Sequence, residues 1–564
     1  MLLWHMHQPD YRDHATGEFE LPWVYLHALK DYSDMAWHFE RHPGMRAVVN
    51  FAPVLLDQLD DYAEQFATNR LRDRLLRLLI HPGTVPLATG DRAFILDRCF
   101  HTNHDRTILP FPAYRALLEV FRAFERHGAD AIAYLSDAYF SDLVAWFHLG
   151  WTGESLRRES EVVRALIGKG HAFTPADRRA LFEVVGSTVR DIVPRWKRLS
   201  ARGQVELSTT PEHHPLAPLL LDFASAREAF PDCPLPSRPY PGGSARAAAQ
   251  TDAALEAYRT RFGGVPAGVW PAEGAVSDAL LRLFADRGVR WTASGGEVLR
   301  NSLGAIDAAS ATASPHRPWY VGGDRRLACF FRDDFLSDRI GFEYARWNGD
   351  DAAADLIANV AAIGQAAKDG ETPIVSVILD GENCWEYYAY NGFYFLDALY
   401  RGLAAHASIR PTTFAAWLDA HASIGADERR DPGPGELPRL VAGSWVGGTF
   451  STWIGSPEKN LAWELLIAAK DHYDAASVHL PPDRLRSARR QLSACEASDW
   501  FWWLSSANPA EAVSDLERLF RMHVANLYVL LGASPPATLA QPIAFGAGAP
   551  EAGGTMRRAK ERAS

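Results

Sequence analysis

The sequence predicts an α/β fold: a seven-stranded (β/α) barrel with helical insertions, followed by a mainly α-helical C-terminal domain. Two observations lead to this prediction. Seven short apolar runs are separated by long helical patterns, and this alternation stops after residue 395. Strand–helix alternation is typical of a parallel sheet with helical crossovers. The chain of 564 residues exceeds one ordinary core, although a large barrel with insertions absorbs much of that length.

The predicted strands are rich in β-branched and aromatic residues and mostly lack polar–apolar alternation, as buried parallel strands do. In chain order they are LLWHMH (2–7), RAVVNFA (46–52), QVELSTT (204–210), AGVW (267–270), VRWTAS (289–294), LACFFRD (327–333) and PIVSVILD (373–380).

Helical patterns fill the intervals between these strands. The stretch 175–203 predicts a helix with Thr174 as its N-cap and Gly203 as its stop, and 350–370 predicts another that ends at Gly370. A mostly helical insertion is expected at about 54–173, within a barrel domain of residues 1–395.

A different organisation is predicted beyond residue 395. A break rich in Pro and Gly (431–438) precedes helices expected at about 459–473, 482–497 and 510–531, so residues 396–532 are assigned to the helical domain. Residues 533–564 are rich in Ala, Gly and Pro and are predicted to be a disordered tail.

Charge, cysteine content and hydropathy exclude several classes of protein. The net charge of −11 argues against nucleic acid as a partner, because phosphate binding requires a basic surface. No apolar run reaches the ~18 residues of a membrane span. The five cysteines are scattered and form no CxxC pair, and the first strand leaves no room for a signal peptide. We therefore expect a cytoplasmic protein.

Polar residues follow the predicted strands where, in a parallel barrel, functional groups collect. His5 and His7 share one face of the first strand because alternate side chains point the same way. The other candidates are Glu206 on the third strand, Trp270 and Glu273 after the fourth, Asp334 after the sixth, and Asp380 and Trp385 after the seventh. Tryptophans 445, 453 and 500 could stack on sugar rings or pack in the core.

Two of these carboxylates predict glycosidic chemistry. Cleavage of a glycosidic bond needs one group that protonates the leaving oxygen and one that attacks the anomeric carbon or activates water. Glu273 and Asp380 end apolar strands beside tryptophans, and an aromatic wall raises a carboxyl pKa by desolvation, as a general acid requires. Across a barrel mouth, such a pair could approach to ~5–5.5 Å, the separation in retaining enzymes.

The histidine pair leaves a metal-dependent alternative open. An HxH pair on a first barrel strand can hold a divalent ion together with ligands from later strands. That arrangement predicts histidines at the ends of the fifth and sixth strands, where the sequence has none. We expect no metal and no cofactor, and a metal-dependent amide or ester hydrolase remains the alternative from another class.

Several motifs, in order along the chain, resemble glycoside hydrolase family 57, most closely its α-amylase and amylopullulanase-type members. They are WHMHQP, LPWVYLHALKDY, GQVELSTTPEHHPLAPLL, VWPAEGAVS, FFRDDFLSDRIGF, LDGENCWEYY, SWVGGTFSTWIG and ASDWFWW, between residue 1 and about 532.

The resemblance implies a seven-stranded barrel, a helical domain and retaining action on α-glucans. It implies that Glu273 is the nucleophile and Asp380 the general acid/base. By the same resemblance His7 and Glu206 hold the sugar nearest the cleaved bond, with His5 beside His7. The resemblance further implies substrate contacts for Trp270, Asp499 and Trp500.

The activity predicted from this resemblance is hydrolysis of α-1,4-glucans by double displacement. A 4-α-glucanotransferase or an α-glucan branching enzyme is the nearest alternative, and a carbohydrate-binding protein without catalysis is a further one. The family pattern has an acidic loop after DWFWW, and this chain has LSSANPAEA there, which leaves the chain-length preference open.

Overall fold

The structure is a computed structural model in which two parallel-rich sheets lie among many helices. It describes residues 1–126, 129–306, 315–368, 371–423, 433–548 and 555–556. The strands are β1 (Leu2–Met6), β2 (Ala47–Phe51), β3 (Val205–Thr209), β4 (Trp291–Ser294), β5 (Trp319–Val321), β6 (Asp324–Phe331), β7 (Val377–Asp380) and β8 (Gly435–Leu437).

The strands form two four-stranded sheets, with orders β3–β2–β1–β7 and β4–β6–β5–β8. The first sheet is wholly parallel, and β4 pairs in parallel with β6. Parallel bridges from Thr209 to Val269 and from Gly268 to Trp291 connect β3 to β4 through the segment 268–269. An α/β fold with parallel sheets is confirmed, and closure into a barrel stays a prediction.

Six of the seven predicted strands are confirmed, and the fourth is reduced to these bridges. Pro266 and Pro271 bracket that segment, and proline has no amide hydrogen to contribute to a ladder. The sequence did not predict β5 and β8. Each has only three residues, too few for a periodic pattern, and they pair with each other across more than 100 residues.

Helices occupy most of the remaining described chain. They are α1 (Trp23–His27), α2 (Ser33–Arg41), α3 (Pro53–Thr68), α4 (Arg74–Leu79), α5 (Thr89–Cys99), α6 (Pro112–Glu125), α7 (Asp137–Gly150), α8 (Glu154–Glu159), α9 (Glu161–Lys169), α10 (Pro175–Ala201), α11 (Ala217–Leu221), α12 (Ala226–Ala229), α13 (Gly243–Phe262), α14 (Asp278–Ala285), α15 (Gly296–Gly304), α16 (Asp334–Asp338), α17 (Gly349–Gln365), α18 (Phe393–Ala405), α19 (Phe414–Ser423), α20 (Pro457–Ser477), α21 (Pro482–Cys495), α22 (Ser498–Trp503) and α23 (Ala510–Leu530).

Shorter helical turns connect these elements. The π-helical turns are Ala28–Tyr32, His104–Ile108 and Arg339–Glu343, and the 3-10 helices are Ala129–Tyr134, Phe223–Ser225, Ala272–Gly274, Tyr344–Arg346, Asn383–Tyr387, Ala389–Gly392 and Ala537–Ala540. The N-cap predicted for the helix starting at 175 is confirmed: Thr174 and Asp177 form a reciprocal capping box on α10. Gly370, the predicted end of the helix from 350, lies outside the described residues.

The C-terminal helical region packs on the sheets without a break at residue 395. Helix α18 packs against α17 and α2, and Phe414 of α19 lies in an apolar cluster between the two sheets. The amide of Ala415 donates to Glu206 of β3 (2.9 Å). Residues 393–423 therefore pack with the elements predicted as the first domain.

Part of the predicted disordered tail is ordered. Leu539, Ile543 and Ala544 are buried in the largest apolar cluster, which also contains residues of β1 and of α23. The amide of Ile543 donates to Glu517 of α23 (2.7 Å). A few apolar side chains were enough to fix a segment whose average composition suggested disorder. Residues 549–554 and 557–564 lie outside the described residues.

The described residues include no helix that is both long and apolar enough to cross a membrane. All five cysteines are buried free thiols.

Candidate active site

A row of polar side chains crosses the carboxyl ends of the first sheet. The strand register aligns His5 of β1 with Asn50 of β2 and Asp380 of β7, and Asn50 with Ser208 of β3. Residues in register point to the same face of a sheet. His5 Nδ1 lies 2.6 Å from Asn50 Oδ1, and Asn50 Nδ2 donates to Ser208 Oγ (2.9 Å). This row holds the His5 ring in one orientation.

The rings of His5, His7 and His214 stack on one another at the end of this row. His5 Nε2 lies 2.9 Å from His214 Nε2, and the rings of His7 and His214 are 3.8 Å apart. His214 has a left-handed backbone (φ 55°), which turns its side chain toward the cluster, while neighbouring His213 faces Asp10. Burial and then the adjacent histidines lower the pKa of His5, to about 3, and that of His214. Both rings are therefore neutral near pH 7.

His7 forms the outer edge of this cluster and contacts Asp499 of α22. Its Nε2 lies 2.9 and 3.0 Å from the two carboxylate oxygens of Asp499. The side chains of His7 and Asp499 are 10% and 11% exposed, so both reach solvent at the edge of the site.

Glu273 sits in the 3-10 turn after the fourth predicted strand and is held on three sides. Its backbone is left-handed (φ 59°), and its carbonyl accepts from the amide of Trp445 (3.1 Å). The Trp445 indole donates to Oε2 (3.2 Å), and the Ser498 hydroxyl donates to Oε1 (3.3 Å). Gly295 permits this approach, because a Cβ there would lie 2.6 Å from Trp445 Cα. A non-glycine residue in this conformation costs ~1–2 kcal/mol and is typical of functional sites.

Asp380 ends β7 and has a different environment. Its Oδ2 accepts from Asn383 Nδ2 (2.8 Å). Burial raises the pKa of Asp380 to about 6, opposed by the Asn383 hydrogen bond and by the charges of His7 and Arg332. Burial also raises the pKa of Glu273, to about 8, and the charge of Asp380 adds to this increase. The two carboxyl groups thus lie within Coulombic reach of each other.

Seven of the predicted site residues lie together at this edge of the sheet. They are His5, His7, Trp270, Glu273, Asp380, Trp445 and Asp499. Trp270 is fully buried, with its ring 5.2 Å from Trp445 and 6.2 Å from His5. Trp445 is only half-buried and supplies an aromatic surface beside Glu273.

Two predicted carboxylates lie outside this group of residues. Glu206 is in register with Val48, two residues nearer the amino end of the sheet than Ser208. It accepts from the Trp291 indole (2.6 Å) and from the amide of Ala415. Asp334 begins α16 and accepts from the amides of residues 296 and 297 and from Arg300 and Arg332. Both carboxylates are therefore occupied by protein donors.

Three predicted tryptophans lie in the core. Trp385, Trp453 and Trp500 expose 1% or less of their surface. The indole of Trp385 donates to the carbonyl of Gly381 (2.9 Å), and that of Trp500 to the carbonyl of Ala494 (2.8 Å). These rings have no free face for a sugar. For Trp453 and Trp500, core packing is the alternative that the sequence had left open.

Several residues of the site were not among the predicted ones. Ser498 links Glu273 to His214, whose Nδ1 lies 2.9 Å from Ser498 Oγ, and Asn50 orients His5. Glu382 Oε1 accepts from the backbone amide of His7 (3.0 Å), so this buried carboxyl positions the end of β1. The serine precedes Asp499 in the ASDWFWW motif, which was the one available signal for it.

One set of residues at the site could hold a metal ion. Ligand atoms of His7, His214 and Asp499 all lie within 4.8 Å of one another. The metal-dependent alternative therefore has a possible donor set, formed by His214 and Asp499 with His7. It does not use the ends of the fifth and sixth predicted strands.

Two buried carboxyl groups with unequal environments beside a polar and aromatic wall, at the carboxyl edge of a parallel sheet, are typical of glycoside hydrolases. Comparison with known proteins agrees. Residues 1–422 match the model of glycosyl hydrolase family 57, and the chain belongs to this family.

Solved structures resemble this chain over most of its length. A GH57 branching enzyme from the hyperthermophilic archaeon Thermococcus kodakaraensis is 16% identical, with 94% of this chain and 89% of that chain covered and a TM-score of 0.58. The GH57-type branching enzyme of Pyrococcus horikoshii has the same identity and coverage and a TM-score of 0.57. The α-amylase AmyC of Thermotoga maritima is 12% identical, covers 94% and 92%, and has a TM-score of 0.54. At these identities the likeness concerns the fold.

Proposed function

We propose that the protein is a retaining glycoside hydrolase that cleaves α-1,4-glucans by double displacement. The supporting observation is the unequal pair of Glu273 and Asp380. Donors from Trp445 and Ser498 reach both oxygens of Glu273, while Asp380 accepts through one oxygen from Asn383. A nucleophile needs a fixed direction of attack, and an acid/base group needs an oxygen that can face the leaving group and then water.

The proposed reaction has two steps. Glu273 attacks the anomeric carbon while Asp380 transfers its proton to the glycosidic oxygen, which leaves with its bonding electrons. Asp380 then removes a proton from water, and the hydroxyl displaces Glu273 with overall retention of configuration. Burial raises the pKa of Asp380 to about 6, so this carboxyl group is easier to protonate than an ordinary aspartate, as the first step requires.

The surrounding side chains fit a sugar ring. The half-buried face of Trp445 can stack on the apolar face of a pyranose, and His7 and Asp499 can exchange hydrogen bonds with its hydroxyls. The α-glucan substrate is supported by the similar solved structures, which are two branching enzymes and an α-amylase. The free state of all five cysteines supports a reducing, cytoplasmic location, which we propose as well.

Transfer to a sugar hydroxyl is the second candidate, because two of the similar folds belong to branching enzymes. Such a 4-α-glucanotransferase or branching enzyme would use the same glycosyl-enzyme. The difference lies in whether water or a glucan occupies the acceptor position.

The test is product analysis with maltoheptaose and amylose. Hydrolysis gives only shorter sugars, transfer gives longer products as well, and branching gives α-1,6 linkages visible by NMR. Glu273→Gln and Asp380→Asn should each abolish product formation, whereas Asp483→Asn, which alters an exposed carboxylate on α21, should match the wild type. Normal activity in either site variant would contradict the assignment.

The two roles can be separated with azide and an aryl α-glucoside that has a good leaving group. Glu273→Gly with azide should form the β-glycosyl azide, since azide then attacks directly. Asp380→Ala with azide should form the α-glycosyl azide, since azide opens the glycosyl-enzyme. If Glu273→Gly gave the α-glycosyl azide and Asp380→Ala the β-glycosyl azide, Asp380 would be the nucleophile and Glu273 the acid/base.

A further inference from the structure

A second group of ligand-type side chains lies between α2 and α18, among residues that have no part in the candidate active site. His38 is on α2, and His42 is its C-cap, so the two side chains project from the same face, one turn apart. Asp397 faces them from α18. One ligand atom from each residue lies within 4.8 Å of the others, and His42 Nε2 is 2.9 Å from Asp397 Oδ1.

His38 differs from an ordinary buried polar residue because its polar atoms have no partners. It is fully buried, and neither ring nitrogen has a hydrogen-bond partner among the described residues. Its neighbours are aromatic: the ring of Phe393 is 5.1 Å away and that of Trp37 is 5.2 Å away. Burying unpaired polar atoms costs about 1–3 kcal/mol each, so they require a reason.

Two other buried histidines of this chain have partners at both ring nitrogens. His148 lies 3.0 Å from the hydroxyl of Tyr25 and 2.7 Å from the carbonyl of Val144. His523 contacts Gln491 and the carbonyl of Asp10. The nitrogens of buried His213 form no hydrogen bond either, but they lie 3.8 and 3.5 Å from carboxylate oxygens of Asp10 and Glu212. The unpaired nitrogens of His38, which lie beside a histidine and a carboxylate, therefore indicate a missing ligand.

The carboxylate of the cluster is oriented and reachable from solvent. Asp397 Oδ2 accepts from Arg401 Nη1 (3.0 Å), which leaves Oδ1 directed at the histidines. The side chain of Asp397 is 31% exposed and that of His42 is 13% exposed, so an ion can enter from this side.

We propose that His38, His42 and Asp397 form a structural binding site for a divalent transition metal ion of the zinc class. Two imidazoles and one carboxylate are ligands that suit zinc, with bonds of ~2.0–2.2 Å, and a water would complete the tetrahedron. Calcium and magnesium prefer all-oxygen sites. The bound ion would tie α2 to α18, which are more than 350 residues apart in the chain.

The first measurement is metal binding by the chelator-treated full-length protein. Titration with Zn²⁺ should give a site with one ion per chain and a raised Tm, because an ion that binds only the folded state stabilises it. Co²⁺ should give the visible absorption of a four-coordinate site, and Zn²⁺ should displace it. Failure of the wild type to bind either ion would overturn the proposal.

Variants assign the ion to this cluster and separate it from the donors at the active site. His42→Ala and Asp397→Asn should each weaken binding by more than the ~10–100-fold that loss of an orienting partner costs. His7→Gln disrupts the other candidate set and should leave this binding and its Tm increase in place. If His7→Gln weakened Zn²⁺ binding to this extent and His42→Ala did not weaken it, the ion would be assigned to the active site instead.

His38→Phe distinguishes a metal ligand from a packing residue. Phenylalanine fits the aromatic surroundings and removes the unpaired nitrogens, so the metal-free variant should be at least as stable as the metal-free wild type. Its Tm should no longer respond to Zn²⁺, and the Co²⁺ absorption should be lost. A variant that still shows the full Zn²⁺ response would show that His38 is not a ligand.

Discussion

Glu273 carries two unfavourable features at once. Its backbone is left-handed, and its carboxyl group is buried next to Asp380 and Asp499, which raises its pKa to about 8. Near neutral pH the folded protein therefore holds a proton that the unfolded chain, with an ordinary value of 4.5, would release. Such a site lowers the stability of the fold in exchange for reactivity.

We therefore expect Glu273→Gln to raise the Tm. Between pH 4.5 and 8 the folded wild type binds more protons at this position than the unfolded chain, so its stability falls as the pH rises. Glutamine keeps the shape without titrating, and its advantage in Tm should grow across this window and level off above it. Differential scanning fluorimetry at several pH values measures the difference. A difference that stays constant with pH, or a variant less stable than the wild type at pH 8, would contradict the raised pKa.

The same pair determines the pH dependence of catalysis. In the proposed mechanism the reactive form has Glu273 ionised and Asp380 protonated, so the pair must hold one proton. Because Glu273 has the higher pKa, the singly protonated pair carries this proton mainly on Glu273, and the reactive form is the minor one. Because the two pKa values are raised to about 8 and about 6, kcat/KM should follow a bell with limbs near these values. Initial rates on maltoheptaose across the pH range test this expectation. Full activity at pH 4, or an undiminished rate at pH 10, would exclude it.

At the scale of elements, a contact between the chain ends that follow β7 and β1 holds His7 in place. Glu382, just after β7, accepts from the His7 amide, from Gln8 Nε2 (3.3 Å) and from the Tyr32 hydroxyl (3.2 Å). Burial and the charge of Asp380 raise the pKa of Glu382 well above its ordinary value, so it is a neutral positioning group.

Two substitutions test whether Glu382 positions His7 or serves as the acid. Glu382→Gln keeps the accepting oxygen without a charge and should retain most of the activity. Glu382→Ala leaves the His7 amide unpaired and should lower kcat/KM by about 10-fold, from a loss of ~1–2 kcal/mol. Kinetics on an aryl glucoside with a good leaving group give a second readout, because loss of an acid is largely compensated there and loss of positioning is not. If Glu382→Gln were as inactive as Asp380→Asn, Glu382 would be the acid.

At the scale of the whole molecule, the C-terminal segment (residues 533–548) is hydrogen-bonded to the loop that follows Ser498 and Asp499. The amides of Ala547 and Gly548 donate to the carbonyls of Ser506 and Asn508 in the loop after α22 (2.9 and 3.0 Å). Leu539 and Ile543 anchor this segment in the main core. Its packing therefore supports the loop that follows Ser498 and Asp499.

Leu539→Ala and Ile543→Ala should each lower the free energy of unfolding by about 2 kcal/mol or more, as buried large-to-small substitutions do. The matched control is Phe545→Ala, since this ring is 75% exposed and its removal should change the stability little. Chemical denaturation of the three variants measures the effect. Equal stability in all three would mean that the segment is not packed in solution.

The sequence itself determined the parallel character of the sheets. Strands such as β1, β2 and β6 contain short, contiguous and mainly apolar runs, and such runs can be recognised without knowledge of distant residues. It also indicated Glu273 and Asp380, since each follows such a run next to tryptophan. A local pattern suffices where the chemistry depends on residues at a strand end. The N-cap at Thr174 was predictable for the same reason.

Only the tertiary structure decided which polar and aromatic residues lie together at the candidate active site. Ser498 lies beside Glu273 and His214 although it is more than 200 residues from either, and no spacing in the chain encodes these contacts. Glu206 and Trp385 have the residue types of a sugar site, but the sheet register and the core packing give them other partners. Periodicity along the chain shows which face of a helix or strand is buried. Which residues cover that face depends on how elements distant in the chain pack together.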